Sequence, residues 1–515
     1  MLKALLAYGY LPRELPPLFG SETFLAVVKS SDLPDCITKA AAKWTQPTQH
    51  NLARVGGLRR RLTVPNPINF FRLASAFDRN SAALRAEWQK SPYSKTTPKV
   101  STSGQRGISN ESSDRATAKA YSRVGGKYLL RADISQFYPS IYTHTIPWAL
   151  HTKKNAKAAP KDMSLAGNLL DKELQACQFG QTKGVAIGPD TSLGIAELLL
   201  APIDRRLSEE CNVLGGVRFI DDMEFSFQKL ADAENALASL ESMLYEYELQ
   251  LNGNKTRILE LPAPLESKYV TALRPRIPHA TASVPSQWID YFSHAFALAQ
   301  EYPTEGVLRY AVAALQGVTA TNKCWPIAQA LLWQCIALDP GCQRFVIDVL
   351  LLHKHRASRV PDIDVAKTAV ESLVLSSAPV GHGSEVLWSI WGALQLGFGL
   401  SPNAQHSIGK MDDAFVAVAA MLSKQHKVFA AEFESPLWAS WLAEGCFAED
   451  HWLFAYEAYG RGWYPNSVQA AKLADDPSVK FLAESKVTFV NDEKIQGYLP
   501  KKLITYGGGG GGASM

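Results

Sequence analysis

Three aspartates that follow apolar runs are the residues best suited to carry chemistry. Asp133 comes after the run Tyr128–Ala132. Asp221 and Asp222 come after the run Val217–Ile220. Mg²⁺ prefers oxygen ligands in octahedral geometry, and a pair of divalent ions can activate an attacking hydroxyl and stabilise a leaving pyrophosphate. We therefore predict a two-metal site for phosphoryl transfer, with Mg²⁺ or Mn²⁺ held by these three carboxylates.

An aspartate pair alone is weak support for catalysis, because most such pairs are ordinary turn residues. Three further segments favour a site. An aromatic segment, Phe137–Tyr142, follows Asp133, a glycine loop, Gly184–Gly188, precedes a helix, and Lys255 lies on a tight turn. Three neighbouring carboxylates also repel one another strongly without a cation, which favours a cation site over a stable metal-free core.

Alternating and helical patterns predict the elements that position these residues. We expect Asp133 at the end of a strand over about 127–134, and Asp221 and Asp222 at the tip of a hairpin. Helices are predicted over 68–90, 137–150, 191–207 and 231–248. The intervening segments predict a hairpin-like loop at 54–67, a long exposed loop at 91–114 and a basic connector at 153–161.

Beyond about residue 285, apolar segments of helical period recur with short breaks between them. They lie at 287–301, 306–317, 325–337, 342–354, 363–375, 384–396, 413–424 and 436–459. Successive helices of similar length indicate a helical-repeat stack, and an ordinary helical bundle is the alternative. The glycine-rich tail, 507–515, is typical of a flexible linker or a cloning remnant.

Composition and charge limit the classes of function. A chain of 515 residues suggests about two to four domains. Residues 51–130 carry 15 basic against 4 acidic side chains, which suits phosphate-bearing partners, although a solvated basic face is the alternative. No signal peptide and no membrane span are expected. The seven scattered cysteines predict a reducing, cytoplasmic location.

The ordered segments resemble motifs A, B, C and D of reverse transcriptases, with Arg54–Pro67 resembling the fingers block that precedes them. Motif A is carried by Asp133–Tyr142, motif B by Thr182–Ser192, motif C by Phe219–Asp222 and motif D by Leu251–Thr256. The residue pattern of these segments is most similar to that of the bacterial defence reverse transcriptases of the abortive-infection type. It includes Gly9–Pro17, Pro65–Pro67, Phe137–Ile141 and Ile187–Ser192.

This resemblance implies roles for individual residues. It implies catalytic roles for Asp133, Asp221 and Asp222, with Lys255 as a proton donor to pyrophosphate. The backbone carbonyl of Ile134 becomes an additional metal ligand. The implied nucleotide-binding residues are Ile134, Tyr138, Arg54, Arg60, Gly188, Pro189 and Ser192. Tyr138 would exclude a 2′-hydroxyl. Arg59 and Arg61 are alternatives to the two fingers arginines, because a slip of one residue changes which side chains face the site.

The sequence also departs from the family pattern. Phe219 stands where motif C usually has a tyrosine, and Ala186-Ile187 stands where motif B usually has Pro-Gln. The glutamine helps to hold the incoming nucleotide and the template, so its replacement puts ordinary templated copying in doubt. The defence group shares this kind of change. No acidic set typical of RNase H is expected downstream.

The resemblance implies an α+β right-hand fold with a reverse transcriptase palm and fingers, followed by an all-α, HEAT-like region. We expect fingers and palm at 1–275, helical repeats at 276–505 and a flexible tail at 506–515. The implied activity is deoxynucleotide addition in bacterial antiphage defence. The expected partners are deoxynucleoside triphosphates, RNA or single-stranded DNA, a noncoding RNA and further copies of the chain. An RNA-directed RNA polymerase and a catalytically idle binding protein are the alternatives.

Overall fold

The computed structural model of the protein describes residues 1–30, 33–38, 43–100, 106–108, 114–279, 281–465 and 472–500, and the tail 507–515 lies outside them. The first part of the chain is mostly helical. Its helices are α1 (Leu2–Tyr8), α2 (Glu22–Ser30), α3 (Asp35–Thr38), α4 (Pro67–Arg79), α5 (Ser81–Trp88), α6 (Arg115–Ser122), α7 (Phe137–Ser140), α8 (Thr145–His151), α9 (Lys153–Ala158), α10 (Ala166–Ala176), α11 (Asp190–Glu210), α12 (Leu230–Glu246) and α13 (Lys268–Leu273).

Six strands lie among these helices. They are β1 (Thr48–Ala53), β2 (Arg59–Val64), β3 (Tyr128–Ala132), β4 (Gly215–Phe219), β5 (Asp222–Phe227) and β6 (Arg257–Glu260). The last four form one antiparallel sheet in the order β4-β5-β3-β6. Helices α6 and α12 pack against this sheet. This is the small antiparallel sheet with helices expected for a palm.

The fingers hairpin, which we define as residues 48–64, pairs β1 with β2 from Thr48 opposite Val64 to Ala53 opposite Arg59. Its tip is a single 3-10 turn, Val55–Gly57. Gly56 has a φ of 72°, a backbone conformation that side chains disfavour, and this allows the chain to reverse in so few residues. The hairpin predicted between the arginines is therefore confirmed.

In the described residues from 281 onwards, the strands form one short parallel pair, β7 (Thr281–Ala282) with β8 (Thr319–Ala320), and Val490 forms an isolated bridge with Phe19. The helices of this later part are α14 (Pro285–Glu301), α15 (Val307–Ala314), α16 (Trp325–Leu338), α17 (Gln343–Arg356), α18 (Ile363–Ser377), α19 (Gly383–Leu396), α20 (Pro402–Ile408), α21 (Ala414–Gln425), α22 (Pro436–Ser440), α23 (Trp452–Arg461), α24 (Pro477–Glu484) and α25 (Asp492–Gly497).

From α14 to α21, a helix generally packs against its neighbour in sequence and against the next helix but one. This contact pattern is typical of stacked helical pairs. The classification as a HEAT-like repeat and the boundary at residue 275 stay predictions. Among the helices that the structure describes, none combines the length and the apolar character needed to cross a membrane.

The late helices share a core with the fingers hairpin. The buried His50 ring nitrogen Nδ1 lies 2.7 Å from Asp413 Oδ2, and the Arg59 guanidinium donates to both carboxylate oxygens of Glu385 at 2.5 and 2.9 Å. The Ala53 amide donates to Ser384 Oγ at 2.8 Å. One face of the hairpin is therefore held by the N-terminal end of α19 and by the residue that caps α21.

Three local predictions differ from the structure. The helix expected over 137–150 is broken, because Thr143 N–H donates to Thr182 O and Tyr142 bridges to Lys183 instead of continuing the helix. The helix expected over 436–459 is interrupted between α22 and α23. The loop 91–114 is not exposed throughout, since Tyr93, Thr96 and Ile108 are buried.

Candidate active site

The strand register brings the three aspartates together. Strands β3 and β5 pair Ala132 with Met223, so the next step of the register places Asp133 opposite Asp222. Strands β4 and β5 pair Phe219 with Asp222, which leaves Ile220 and Asp221 as a two-residue turn. The structure therefore places Asp133 beside the catalytic turn, which we define as residues 219–222.

Asp133 is held by the segment that follows α12. The Lys255 ammonium Nζ lies 2.9 Å from Asp133 Oδ2, and Asn252 Nδ2 donates to Asp133 Oδ1 at 3.1 Å. The Asn252 amide also donates to the Asp133 carbonyl at 2.7 Å. A fourth contact, an antiparallel bridge between Ile134 and Leu251, fixes the backbone of Ile134. The predicted motif D lysine is thus brought to the predicted motif A aspartate.

The catalytic turn has an unfavourable backbone that neighbouring side chains hold in place. Ile220 has a φ of 59°, a left-handed conformation that is rare for a β-branched residue. Its amide donates to Thr96 Oγ1 at 3.0 Å, and its carbonyl accepts from Arg218 Nη1 at 3.0 Å. Both backbone groups of the strained residue are therefore satisfied by two specific side chains.

These two side chains belong to a buried polar network beneath the turn. Arg218 is fully buried, and its guanidinium contacts Glu197 at 2.9 Å and Asp204 at 2.7 Å. Thr96 Oγ1 donates to Glu197 Oε1 at 2.6 Å, and Ser94 Oγ donates to Glu197 Oε2 at 2.8 Å. Burial raises the pKa of Asp204 in spite of the neighbouring arginine. Removal of one member of such a network leaves a buried charge unpaired, which costs about 3–5 kcal/mol.

The carboxylates are arranged to accept a hard cation. Burial, followed by the charge of Asp133, raises the pKa of Asp221 to about 6. Burial also raises the pKa of Asp222, although the charges of Lys119 and Arg115 oppose this. Asp222 Oδ2 is buried and accepts no hydrogen bond from any described residue. A buried, unsatisfied carboxylate oxygen beside two further carboxylates fits a divalent cation such as Mg²⁺.

The ligands do not form a ready-made metal cluster. In the described parts of the chain, no group of three or more His, Cys, Asp or Glu residues is placed so that it could hold a metal ion. The carboxylate of Asp133 is instead engaged by Lys255 and Asn252. A cation that binds here has to draw Asp133 away from Lys255. The metal-ligand roles of Asp133, Ile134, Asp221 and Asp222 therefore stay predictions.

Helix α6 presents a row of cations to strand β5. Arg115 Nη1 lies 3.6 Å from Asp222 Oδ2, and its guanidinium lies 4.4 Å from the centroid of the Phe219 ring. One and two turns later, Lys119 and Arg123 contact the buried carboxylate of Glu224 at 2.9 and 2.6 Å. This row anchors β5 and balances part of the negative charge at the turn. The spacing of four residues is visible in the sequence, but the partner strand is not.

Tyr138 lies between the aspartates and the glycine loop. Its backbone carbonyl accepts from Val185 N–H at 3.0 Å, and Ile141 O accepts from Gly184 N–H at 2.7 Å. Burial raises the pKa of the Tyr138 phenol well above its ordinary value, and the negative charge of Asp221 adds to this. The ring is therefore neutral and close to the catalytic turn, as a ring that contacts a sugar has to be.

The loop before α11 is held by the N-terminal segment. Gly188 has a φ of 142°, and a Cβ atom there would lie 2.4 Å from Pro12 Cγ, so only glycine fits. The next residue, Pro189, is buried where α11 begins. Ser192 is also buried, and its hydroxyl donates to Ala186 O at 2.5 Å. Ser192 thus supports the loop from inside, and the structure gives its hydroxyl no direct route to a nucleotide.

Of the two predicted fingers arginines, Arg54 lies close enough to Asp221 and Asp133 for their charges to act on it. Burial lowers the pKa of Arg54, the charges of Arg60 and Arg309 lower it further, and the charges of Asp221 and Asp133 oppose this. Arg60 lies opposite Leu52 in the hairpin register. Arg59, one of the two alternatives, is bound to Glu385 and is not available to a triphosphate. This contact counts against Arg59 as an alternative, and the triphosphate-binding roles of Arg54, Arg60 and Arg61 stay predictions.

Several residues of the site were not predicted from the sequence. They are Thr96, Arg115, Glu197, Asp204 and Arg218. A charged residue inside an apolar run was the available signal, as in Val217-Arg218-Phe219 and Ala196-Glu197-Leu198. Such a residue is rarely left unpaired when its neighbours are buried.

Comparisons with known proteins agree with this geometry. Residues 88–290 match the family described as reverse transcriptase (RNA-dependent DNA polymerase). This range contains the aspartates, Tyr138 and Lys255, whereas Arg54 and Arg60 lie before it. No curated protein matches the sequence.

Among solved structures, the chain is similar to telomerase from Candida albicans, determined in complex with the TWJ fragment of telomeric RNA, at 10% identity and a TM-score of 0.28. The alignment covers 62% of this chain and 63% of the telomerase chain. A similarity of this size supports no further argument. The family match shows that residues 88–290 form a reverse transcriptase domain, the catalytic domain of RNA-directed DNA polymerases, which are nucleotidyltransferases.

Proposed function

We propose that the protein is a DNA polymerase of the reverse transcriptase type that adds deoxynucleotides by two-metal phosphoryl transfer. The observation that carries the proposal is the convergence of Asp133 with Asp221 and Asp222 across adjacent strands. A structural turn has no need to hold a strained Ile220 on a network of buried charges. A catalytic turn does, because its carboxylates must keep a fixed position.

Asp133, Asp221, Asp222 and the carbonyl of Ile134 would hold the Mg²⁺ or Mn²⁺ ions. When bound, the ions lower the pKa of the attacking hydroxyl and neutralise charge on the leaving pyrophosphate. Arg54 and Arg60 bind the triphosphate from the fingers hairpin, and Gly188 and Pro189 contribute from the loop that is bonded to this hairpin through Ile187 and Thr63.

Lys255 leaves Asp133 and donates a proton to the pyrophosphate. Tyr138 selects deoxynucleotides by occupying the space of a 2′-hydroxyl. This selection distinguishes the proposed DNA polymerase from an RNA-directed RNA polymerase, which must accept a 2′-hydroxyl.

We propose bacterial antiphage defence in the cytoplasm as the setting. The proposal is supported by the sequence resemblance to abortive-infection enzymes and by a helical region large enough to bind a partner. Ile187 stands where ordinary templating needs glutamine, and its backbone N–H and carbonyl are both bonded to Thr63 of the fingers hairpin. This favours synthesis on a dedicated noncoding RNA, or synthesis without a template, over general copying. Self-association through the helical region is part of the same proposal.

The experiment that tests the activity uses purified full-length protein with labelled deoxynucleotides or ribonucleotides in Mg²⁺ or Mn²⁺. We expect incorporation of deoxynucleotides, and its loss in Asp221→Asn and in Asp222→Asn. If the parent protein incorporates no nucleotide and both variants keep phage protection, the protein acts by binding and not as a polymerase. Sequencing of the nucleic acid that is purified with the protein identifies an RNA partner and shows whether product is attached to the polypeptide.

A further inference from the structure

Two aromatic side chains form an exposed pair at the start of the loop that contains Gly188. The Trp44 side chain is 58% exposed and the Phe179 side chain is 49% exposed. Their ring centroids lie 6.5 Å apart with an angle of 64° between the planes. Single exposed aromatics need no explanation, but two that contact each other and solvent form a surface on which a third ring can stack.

The backbone holds this pair in place at a cost. Phe179 has a φ of 54°, a left-handed conformation that bulky residues rarely adopt. The next residue, Gly180, has a φ of 73°, and a Cβ atom there would lie 2.9 Å from the indole ring of Trp44. The Phe179 amide donates to Thr45 O at 2.9 Å, which ties the two segments together. An exposed phenylalanine held in the left-handed region is a backbone outlier, and such outliers are common at binding sites.

The chain segment that carries Trp44 is basic, although the exposed Glu449 accepts from Gln46 Nε2 at 2.9 Å beside it. Residues 36–77 contain no Asp or Glu and seven Lys or Arg. Lys43, Gln181 and Lys183, which flank the pair in the sequence, are exposed. The acidic residue nearest in the sequence, Glu173, is buried and paired with Arg72 at 3.1 Å. Exposed aromatic rings among exposed lysines suit a nucleic acid strand better than an apolar protein surface.

The pair is connected to the candidate active site. Residue 180 begins the loop whose Gly184 and Val185 amides donate to the carbonyls of Ile141 and Tyr138. Residues 180–185 therefore connect the Trp44–Phe179 pair to Tyr138, the residue predicted to contact the sugar.

We propose that Trp44 and Phe179 form a stacking platform for the bases of a single-stranded nucleic acid, with Lys43 and Lys183 contacting its phosphates. This inference rests on the proposed function, because it assigns a position to the strand that the polymerase handles. A base stacked on a protein ring gives sequence-tolerant binding, which fits a strand that has to move through the site.

The test is the affinity of full-length protein for a dye-labelled single strand of about 12 nucleotides, as RNA and as DNA, measured by fluorescence anisotropy in chelator. Trp44→Ala removes one ring, and Phe179→Asn removes the other while keeping a residue that tolerates the left-handed backbone. We expect each variant to bind about tenfold more weakly. Trp44→Phe and Phe179→Tyr should retain most of the affinity, and Tyr245→Ala, which removes an exposed ring from α12, should bind as the parent protein does.

Two readouts separate stacking from charge. An oligonucleotide of abasic sites keeps its phosphates, so the parent protein, Trp44→Ala and Phe179→Asn should bind it equally. The aromatic variants should keep the salt dependence of binding, whereas Lys183→Gln should reduce its slope by about 0.7 for one lost phosphate contact.

Affinity for the base-bearing strand that is unchanged in both Trp44→Ala and Phe179→Asn overturns the platform, as does a parent protein that binds no single strand. Because binding is measured without metal, it is independent of synthesis. A parent protein that synthesises DNA while both variants bind normally contradicts only the platform, and weakened binding in a protein that never synthesises DNA contradicts only the polymerase.

Discussion

Lys255 places its ammonium nitrogen 2.9 Å from Oδ2 of Asp133, the carboxylate expected to hold a metal ion. The same lysine is the proposed proton donor to pyrophosphate. In this proposal, the Lys255 ammonium neutralises Asp133 in the metal-free protein, and it has to leave Asp133 when a divalent ion binds. This exchange gives the first prediction.

Lys255→Ala should bind Mn²⁺ more tightly than the parent protein, because a cation that competes for Asp133 is gone. It should also lower kcat by about 10²-fold, the lower end of the effect of a general acid. Calorimetric titration with Mn²⁺ and steady-state kinetics measure the two effects. Lys323→Ala, at an exposed position on the turn before α16, serves as the control. Weaker Mn²⁺ binding in Lys255→Ala would contradict the exchange.

Thr96→Val should impair synthesis without touching any substrate. It removes the hydroxyl that accepts from Ile220 N–H and donates to Glu197. A buried donor left unsatisfied costs about 1–3 kcal/mol of stability, and the strained turn loses one of its two holds. We expect a lower kcat with little change in KM for the nucleotide, whereas Thr96→Ser should behave as the parent. A kcat that does not fall in Thr96→Val would show that the turn needs no such support.

Arg59→Leu should loosen the fingers hairpin from α19. Burial alone raises the pKa of Glu385, but the hydrogen bonds and charge of Arg59 outweigh it and the pKa is lowered. A carboxyl with a lowered pKa in the folded protein stabilises it above its unfolded pKa of about 4.3, and this stability is lost as the pH falls further.

At pH 7 we therefore expect Arg59→Leu to lower the free energy of unfolding by about 3 kcal/mol, because the buried Glu385 carboxylate loses its arginine and keeps only Ser384 Oγ at 2.7 Å and His382 Nδ1 at 3.5 Å. The difference in free energy of unfolding between Arg59→Leu and the parent protein should become smaller below about pH 4. Denaturant titrations at several pH values measure it, and Arg61→Leu on the exposed part of the same strand is the matched control. A difference that is constant with pH would contradict the assigned ion pair.

Tyr138→Ala should admit ribonucleotides. The charge of Asp221 acts on the Tyr138 phenol, and the backbone carbonyl of Tyr138 is bonded to the glycine loop. In the proposed role, removal of the ring opens the space that a 2′-hydroxyl requires. We expect the preference for deoxynucleotides, expressed as a ratio of kcat/KM values, to fall by about 10- to 100-fold. Tyr138→Phe keeps the ring and should keep the preference. Sugar discrimination that survives the alanine change would remove the role assigned to Tyr138.

Asp348→Asn should stabilise the protein at high pH. Burial raises the pKa of Asp348 to about 6, although Arg344 and a hydrogen bond from Tyr498 oppose this. An acid with a raised pKa in the folded protein opposes folding once the pH rises above its unfolded pKa, and the full penalty is present above pH 6.

The neutral asparagine carries no such penalty and can still accept from Tyr498. We expect the free energy of unfolding to rise by up to about 3 kcal/mol at pH 8, and this gain should disappear below pH 4. Thermal unfolding across this range measures it, and a gain that is the same at pH 4 and pH 8 would rule out ionisation of Asp348 as the cause.

The features that could be predicted from the sequence are those that depend on local residue patterns. Asp133, Asp221 and Asp222 were expected on a strand end and a hairpin tip, and the register places them there, because apolar runs and a two-residue turn are local signals. Lys255 was expected on a turn, but its contact with Asp133 depends on strand β6 lying next to β3.

Long-range pairs were missed for the same reason. Glu197 and Arg218 stand in separate apolar runs, and only the packing of α11 against the sheet region brings them together. Arg59 and Glu385 are 326 residues apart, and neither segment contains a sequence pattern that indicates the other as its partner. The loop at 91–100 was expected to be exposed, because its polar composition conceals that Thr96 and Ser94 turn inward to bond Glu197.

The most direct test of the account is metal-dependent incorporation of labelled deoxynucleotides by the parent protein and by Asp133→Asn, Asp221→Asn and Asp222→Asn, with folding of each variant checked by thermal unfolding. We predict incorporation in Mg²⁺ or Mn²⁺ that stops with chelator and falls by several orders of magnitude in every variant. Folded variants that incorporate nucleotide at the parent rate, or synthesis that persists in chelator, would contradict a catalytic site built on these three carboxylates.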